Sequence, residues 1–158
     1  MALKNLITTI FVFISFSVSL ASCNQEEKTI TNQTNGNTTN PIGSKMKITI
    51  DTSVFTATLT DDETTAAFQT ILPMTINMSE LNGNEKFFYF ASTLPSNASP
   101  GGSIQVGDLM LYGNNCLVLF YENLNTSYSY SRLGKIDNTT GLVAALGSGN
   151  VTIKLELE

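Results

Sequence analysis

The chain has 158 residues, enough for one ordinary domain, and carries a formal charge of −5 from 8 basic and 13 acidic residues. An acidic chain with a single Arg lacks the clustered positive charge that nucleic acids and anionic lipid headgroups require, so we expect neither as a partner. The absence of His excludes Ser-His-Asp and Cys-His relays and His-based zinc sites, and we predict no metal and no cofactor.

The first 22 residues have the pattern of an export signal. Lys4 gives a positive start, and residues 6–20 form an apolar stretch that is shorter than a bilayer span requires. The following Leu20-Ala21-Ser22-Cys23 resembles the lipobox of bacterial lipoproteins. This resemblance implies cleavage before Cys23 and acylation of Cys23 with fatty acids such as palmitate, which would anchor the chain in a lipid bilayer. An ordinary secretory signal with a chance cysteine is the alternative.

Residues 23–45 join this anchor to the folded part. They are nearly all polar and cannot bury enough apolar surface to offset the entropy of ordering, so a flexible linker is predicted. Glu26 and Glu27 resemble a surface-export signal of some Gram-negative lineages, or they simply begin a solvated linker. The expected location is the cell envelope, on the outer membrane of a Gram-negative cell at its periplasmic or surface side.

The folded domain is predicted to span residues 46–158 and to begin with two strands in which apolar and polar side chains alternate. A capping-box spacing from Thr60 and an apolar stripe at helical spacing then predict an amphipathic helix, which Pro73 ends. The elements predicted in this half are strands over residues 46–50, 55–59 and 74–78 and a helix over residues 61–72.

The second half begins with an aromatic strand, and a polar loop follows it over residues 93–102. An apolar run from Cys116 lacks alternation, so both faces of that strand are expected to be buried. Asp137 is expected to cap a second helix and Gly147 to close it. The elements predicted here are strands over residues 86–91, 104–112, 116–121, 128–136 and 151–157 and a helix over residues 139–146. About eight short strands favour a closed antiparallel barrel, because closure leaves no open edge.

Two stretches of this half resemble a known family. Leu133-Gly134-Lys135-Ile136 and the following Gly141 to Leu146 are similar to the cyclophilin pattern of a glycine, a basic and an aliphatic residue ahead of a glycine-led helix. Residues 104–112 and 116–121 resemble the bacterial cyclophilin-like group, whose members share a Gly-Asp pair, a tyrosine and an apolar run. The resemblance spans most of residues 46–158. It implies a mainly β fold: a small closed antiparallel cyclophilin-like β-barrel with two short helices.

The sequence departs from true prolyl isomerases at two positions that matter for function. Those enzymes carry an Arg beside a Phe in the strand after the first helix, whereas residues 74–90 contain no Arg. They also carry a Gln in a middle strand, whereas residues 116–121 contain none. Lys86, the nearest basic residue, is expected to be a mobile point charge, and Arg132 is expected on a different strand.

A candidate binding surface lies on the predicted strand over residues 128–136. Tyr128, Tyr130 and Arg132 are two residues apart, so their side chains share a face, and a guanidinium there suits a carboxylate or a peptide carbonyl. In the alternative, the tyrosines pack on the barrel and Arg132 pairs with an acid such as Asp108 or Asp137. The candidate binding residues are Tyr112, Asn114, Tyr128, Tyr130 and Arg132.

Three other features are expected to be structural. Cys116 lies in an apolar run and is predicted to be a buried small hydrophobe. Asp108 follows Gly107 and is predicted to serve a turn. The aromatic run Phe87 to Phe90 is predicted to belong to the core rather than to a ligand platform.

Three classes of function follow, and no catalytic residue is predicted. The first, which we favour, is a binding module that holds a peptide or small ligand in a groove without catalysis. The second is a weak peptidyl-prolyl isomerase that assists folding in the envelope. The third is an accessory subunit that docks to another envelope protein. A concave aromatic groove favours binding, whereas a flat apolar patch favours docking.

Replacing Cys23 with Ser should abolish metabolic labelling with a radioactive fatty acid and release the chain from membranes, because only the thiol of Cys23 accepts the lipid. A Cys116→Ser variant keeps the lipobox and should label like the unchanged chain. The measurement is labelling followed by membrane fractionation. A Cys23→Ser chain that stays labelled and membrane-bound would disprove the lipoprotein interpretation.

Overall fold

The computed structural model describes residues 43–158, which form nine strands and two short helices. The predicted export signal, the lipidation site Cys23 and the linker up to residue 42 lie outside the described residues. Between residues 43 and 158 no helix is long and apolar enough to cross a membrane. In chain order the elements are β1 (Lys45–Ile50), β2 (Ser53–Leu59), α1 (Glu63–Gln69), β3 (Met74–Leu81), β4 (Glu85–Tyr89), β5 (Ser99–Ile104), β6 (Asp108–Tyr112), β7 (Cys116–Phe120), β8 (Leu124–Ile136), α2 (Leu142–Leu146) and β9 (Val151–Leu157).

Eight of the nine strands form a closed antiparallel ring in the order β2-β1-β9-β3-β4-β7-β6-β8. The predicted mainly β barrel with two short helices is thereby confirmed. The ring closes where the last residues of β8 pair with β2, and Gly134 lies opposite Leu59. A Cβ on Gly134 would lie 2.5 Å from the carbonyl oxygen of Thr58, so this seam between β2 and β8 requires a glycine.

The interior of the ring is one apolar core. Strand side chains such as Ile48, Leu119 and Ile153 are buried there together with Phe68 of α1 and Leu142 of α2. The apolar residues of the alternating pattern that predicted the strands therefore point into the ring, and the polar residues between them point outward. Both helices place their buried apolar side chains in this same core.

A second, smaller apolar cluster lies on the outer face of β6 and β7. It joins Ile104 of β5, Met110 of β6, Phe120 of β7 and Tyr130 of β8. Every residue of β7 is buried, because Leu117 and its alternates face the main core and the others face this second cluster. The prediction that both faces of β7 are buried is confirmed.

β5 lies where a loop was expected. Residues 99–104 pair with β8, with a register shift between Pro100 and Gly102. The single strand predicted over residues 104–112 is correspondingly divided, because Gly107, with a φ of 88°, turns the chain between β5 and β6. Asp108 serves that turn as predicted, since its Oδ2 accepts a hydrogen bond from the backbone N–H of Gln105 at 3.0 Å.

α1 is shorter than predicted and begins at a different cap. Thr60 is still tied to β8, because its backbone N–H bonds to the carbonyl oxygen of Leu133 at 3.0 Å. The helix therefore begins later, with Asp62 as N-cap, whose carboxylate accepts from the backbone N–H of Thr65 at 2.8 Å. It ends at Gln69, three residues before the predicted end at residue 72.

α2 is capped by backbone alone. Its N-cap is Gly141, which makes no side-chain capping bond. Asp137 was expected in that role, but its carboxylate accepts from Lys45 Nζ at 2.8 Å and from the Thr58 hydroxyl at 2.5 Å and is thus held at β1 and β2. Gly147 closes α2 with a φ of 60°, as predicted.

Lys86 is fully buried and held by three acceptors, so the expectation of a mobile point charge is wrong. Its Nζ is ion-paired with Glu80 and donates to the carbonyl oxygens of Gly147 at 2.9 Å and Gly149 at 2.6 Å. The ring of Tyr121 lies 5.2 Å from the same nitrogen, and the Tyr121 hydroxyl donates to Glu80 at 2.7 Å. All three N–H donors of the ammonium are satisfied, which is the condition for burying such a charge.

Glu80 remains ionised in this network. Burial alone would raise the pKa of Glu80, but hydrogen bonds from Lys86, Tyr121 and the Gly83 N–H together hold that pKa below its ordinary value. A depressed carboxyl pKa stabilises the fold at a pH above the unfolded value, and this contribution is lost as the pH falls through the folded value.

Replacing Lys86 with Met should lower the free energy of unfolding by about 3 kcal/mol, because Glu80 and two carbonyl oxygens then lose their donor. Urea denaturation at neutral pH measures the effect. Lys154→Met is the matched control: its ion pair with Glu156 is exposed, and the change should stay within about 0.5 kcal/mol. Equal stability of the two variants would show that the Lys86 network contributes little.

Candidate functional site

β4 presents alternate side chains to the inside and the outside of the ring. Phe88 and Phe90 pack on the main core, whereas Phe87 packs on the second cluster and Tyr89 is 59 % exposed. The outer pair of rings, Phe87 and Tyr89, lie 5.7 Å apart. The prediction that the whole aromatic run is core is therefore right for Phe88 and Phe90 and wrong for Tyr89, because successive strand residues point to opposite faces.

Four outward side chains form a row across four neighbouring strands. Tyr89 of β4 pairs with Cys116 of β7, Cys116 pairs with Tyr112 of β6, and Tyr112 pairs with Tyr130 of β8. Paired residues in register point to the same face of a sheet. The row thus places three phenol rings around one thiol.

This row lies in a groove of about 460 Å³ on the outer face of the ring. β4 lines one side, the first half of β8 lines the other, and Cys116 and Val118 of β7 lie between them. The groove has five aromatic side chains: Phe87, Tyr89, Tyr112, Tyr128 and Tyr130. Its polar side chains are Asn82, Asn84, Glu85, Asn125 and Thr126.

The structure brings together three of the predicted binding residues. The ring of Tyr112 lies 6.2 Å from that of Tyr128 and 5.4 Å from that of Tyr130, measured between centroids. Tyr130 also makes an edge-on contact of 5.7 Å with Phe120. Aromatic pairs in this range stabilise one another, so each ring restricts the positions of its neighbours.

Comparison with known proteins identifies the family. The sequence pattern of the cyclophilin-like family matches residues 48–156. The chain belongs to the cyclophilin-like family. A similar fold occurs in the solution structure of the hypothetical protein AF2241 from Archaeoglobus fulgidus, with a TM-score of 0.53, 15 % sequence identity, and coverage of 75 % of this chain and 98 % of that one. No curated protein matches the sequence.

In this cyclophilin-like domain, Arg132 is held in an ion pair and does not line the groove. Its Nη1 lies 3.2 Å from Asp108 Oδ2, and its Nη2 donates to the carbonyl oxygen of Gly101 at 3.3 Å. A bulge in β8 opposite β6 also brings Lys135 to within 3.7 Å of Asp108. Of the two acids considered as partners for Arg132, the structure selects Asp108.

Asn114 lies outside the groove, in the turn between β6 and β7. It lines an adjoining open hollow, which Tyr112 and Tyr128 separate from the groove. Its carbonyl oxygen accepts a hydrogen bond from the backbone N–H of Leu94 at 2.7 Å. Asn114 thereby fixes the segment that leads towards β5.

Two buried, neutral polar groups line the groove of this cyclophilin-like domain. Burial and the Glu85 carboxylate raise the pKa of Tyr130 to about 12, and within residues 43–158 the Tyr130 hydroxyl has no hydrogen-bond partner. Burial, with a smaller effect of Glu85, raises the pKa of the Cys116 thiol. Cys116 is 4 % exposed, which confirms the prediction of a buried small side chain, and a protonated thiol is a poor nucleophile.

Sequence reasoning missed Glu85, Phe87 and Tyr89. The signal that identifies them is their spacing of two residues on one strand, the same rule that grouped Tyr128 with Tyr130. Nothing in the groove resembles a metal centre: the described part of the chain holds no group of three or more Cys, Asp or Glu side chains placed to bind an ion.

With Cys23 replaced by Ser, Cys116 becomes the chain's one thiol. We expect iodoacetamide at neutral pH to modify it about 100-fold more slowly in the folded chain than in the chain unfolded in urea, because burial blocks access and keeps the thiol protonated. The rate is followed by mass spectrometry. Similar rates in both states would contradict the burial of Cys116.

Proposed function

We propose that this chain is a lipid-anchored protein of the cell envelope whose cyclophilin-like domain binds a peptide or small ligand in the aromatic groove, without catalysis. The anchor is inferred from the lipobox that ends at Cys23. The binding proposal is inferred from the groove, whose lining residues all lie within residues 43–158.

The binding proposal is supported by the position of the exposed apolar side chains, several of which cluster in the groove. Of the eight large apolar side chains exposed in the described residues, four line the groove: Leu81, Tyr89, Tyr112 and Tyr128. Scattered exposed apolar residues are ordinary, but a cluster of them around a concavity is typical of a binding surface. The concave shape favours a ligand over a flat docking partner.

The size and chemistry of the groove fit the same function. Its volume of about 460 Å³ lies in the range of small-molecule sites. Tyrosine rings offer broad apolar contact at low entropic cost, and their hydroxyls can orient a ligand. The amides of Asn82, Asn84 and Asn125 add donors and acceptors at the rim.

The position of Arg132 supports binding rather than isomerisation. Lowering the barrier of a rotating prolyl amide, about 20 kcal/mol, needs a hydrogen-bond donor placed against that amide. Arg132 is engaged by Asp108 and by the Gly101 carbonyl, and Lys86 is buried on the inner side. By tying β5 to β6, Arg132 instead acts as a positioning residue for the β8 side of the groove.

A capped Ala-Pro-Phe peptide tests both parts of the proposal. Titrated into the ¹⁵N-labelled mature chain (residues 23–158, Cys23→Ser), it should shift amide signals of groove residues and leave the rate of prolyl isomerisation at its uncatalysed value. Tyr112→Ala should weaken binding roughly tenfold, because it removes the central ring of the cluster. Val54→Ala, an exposed residue of β2 outside the groove, should have no effect.

The Arg132→Ala variant provides the opposing test. It should weaken binding modestly, through looser support of β8, and change stability by less than about 1 kcal/mol, because the Arg132 side chain is half exposed and Lys135 still pairs with Asp108. Clear isomerase activity that disappears in Arg132→Ala would overturn the binding proposal and give Arg132 a catalytic role. A set of shifts that avoids the groove would also overturn it.

A further inference from the structure

The basic side chains of the described residues are all used in ion pairs, and none of these pairs involves the groove carboxylate Glu85. Each Lys and Arg side chain within residues 43–158 is paired with an acid elsewhere. No basic side chain lines the groove. Residues 43–158 therefore supply no positive charge to the groove.

Glu85 differs from the other acids of residues 43–158 that neither form an ion pair nor cap a helix, because it is partly buried. Of the eleven Asp and Glu side chains in these residues, four are in ion pairs, five others are exposed, and Asp62 caps α1. Glu85 is partly buried and, among the described residues, has neither an ion pair nor a hydrogen bond to its side chain. Burial and the nearby Glu80 raise the pKa of Glu85, which indicates that its negative charge is uncompensated.

A second acceptor next to Glu85 is also unsatisfied. Asn84 Oδ1 is buried without a hydrogen-bond partner, and Asn84 lines the same groove. Buried acceptors are nearly always paired in native proteins, so the unpaired Asn84 oxygen indicates a donor that the described residues do not supply. A cationic N–H group could supply that donor, and its positive charge would also compensate Glu85.

The aromatic side chains complete a site for a cation. Phe87 and Tyr89 follow Glu85 on the same outward face of β4, and Tyr130 lies across the groove within the field of the Glu85 carboxylate. Ring faces attract ammonium and guanidinium groups, and the attraction increases where water is excluded. An anionic ligand would meet Glu85 without any compensating base.

We propose that the groove takes a ligand whose cationic nitrogen carries N–H groups beside an apolar or aromatic body, with Glu85 and Asn84 as acceptors for the nitrogen. An amine ligand and a Lys or Arg side chain of a peptide share this chemistry. The inference rests on the proposed binding function and adds the charge of the ligand to it.

Three probes of similar size test the inference: tyramine is a cation, N-acetyltyramine is neutral and 4-hydroxyphenylacetate is an anion. Each is titrated into the mature chain (residues 23–158, Cys23→Ser), and dissociation constants are taken from amide shifts of groove residues. Tyramine should bind roughly tenfold more tightly than N-acetyltyramine, and the anion should bind most weakly.

Glu85→Gln should remove the preference for tyramine while retaining binding of N-acetyltyramine, because the glutamine keeps the size of the side chain. The matched control is Glu122→Gln, an exposed acid outside the groove, which should keep the preference. A capped Ala-Lys-Phe peptide compared with Ala-Gln-Phe extends the test from an amine to a peptide cation.

The outcomes separate this inference from the proposed function. Equal binding of all three probes in the groove would overturn the cation preference and leave the binding function standing. A preference for tyramine that survives in Glu85→Gln would overturn the assignment of Glu85. Absence of any probe from the groove would count against both the inference and the proposed function.

Discussion

Much of this barrel depends on the hydrogen bonds and the ion pair that the buried ammonium of Lys86 makes. The ammonium, which belongs to β4, contacts Glu80 of β3 and the carbonyl oxygens of Gly147 and Gly149. These two glycines lie between α2 and β9. Removing such a charge from water is costly, and only a complete set of acceptors offsets the cost. The position of α2 and the course of β3 and β4 are therefore specified together, although they are far apart in the sequence.

Much of the fold could be predicted because apolar alternation is a local signal. Side chains such as Ile48 and Ile153 repeat every second residue, and each such run became a strand with those residues inside. The same rule grouped Tyr128 with Tyr130, which the structure places around Tyr112. A family resemblance built on the residues around Gly134 succeeded because that glycine is required where the ring closes.

The rest could not be predicted because it depends on partners distant in the sequence. β5 contains Pro100 and two glycines, and it is a strand only because β8 offers it a pairing edge. The burial of Lys86 depends on carbonyl oxygens some sixty residues away. Arg132 shares an outward spacing with Tyr130, yet Asp108 and the bulge in β8 draw its guanidinium away from the groove.

β8 has 13 residues, and its two ends serve different structures. The residues near Ile136 form the seam with β2, while those near Tyr128 border the groove. A molecule bound between β4 and β8 would therefore contact the same strand that closes the ring against β2. Binding in the groove and local opening of the β2–β8 seam are then thermodynamically linked. A protein molecule with a ligand in its groove would open at this seam less often than a protein molecule without one.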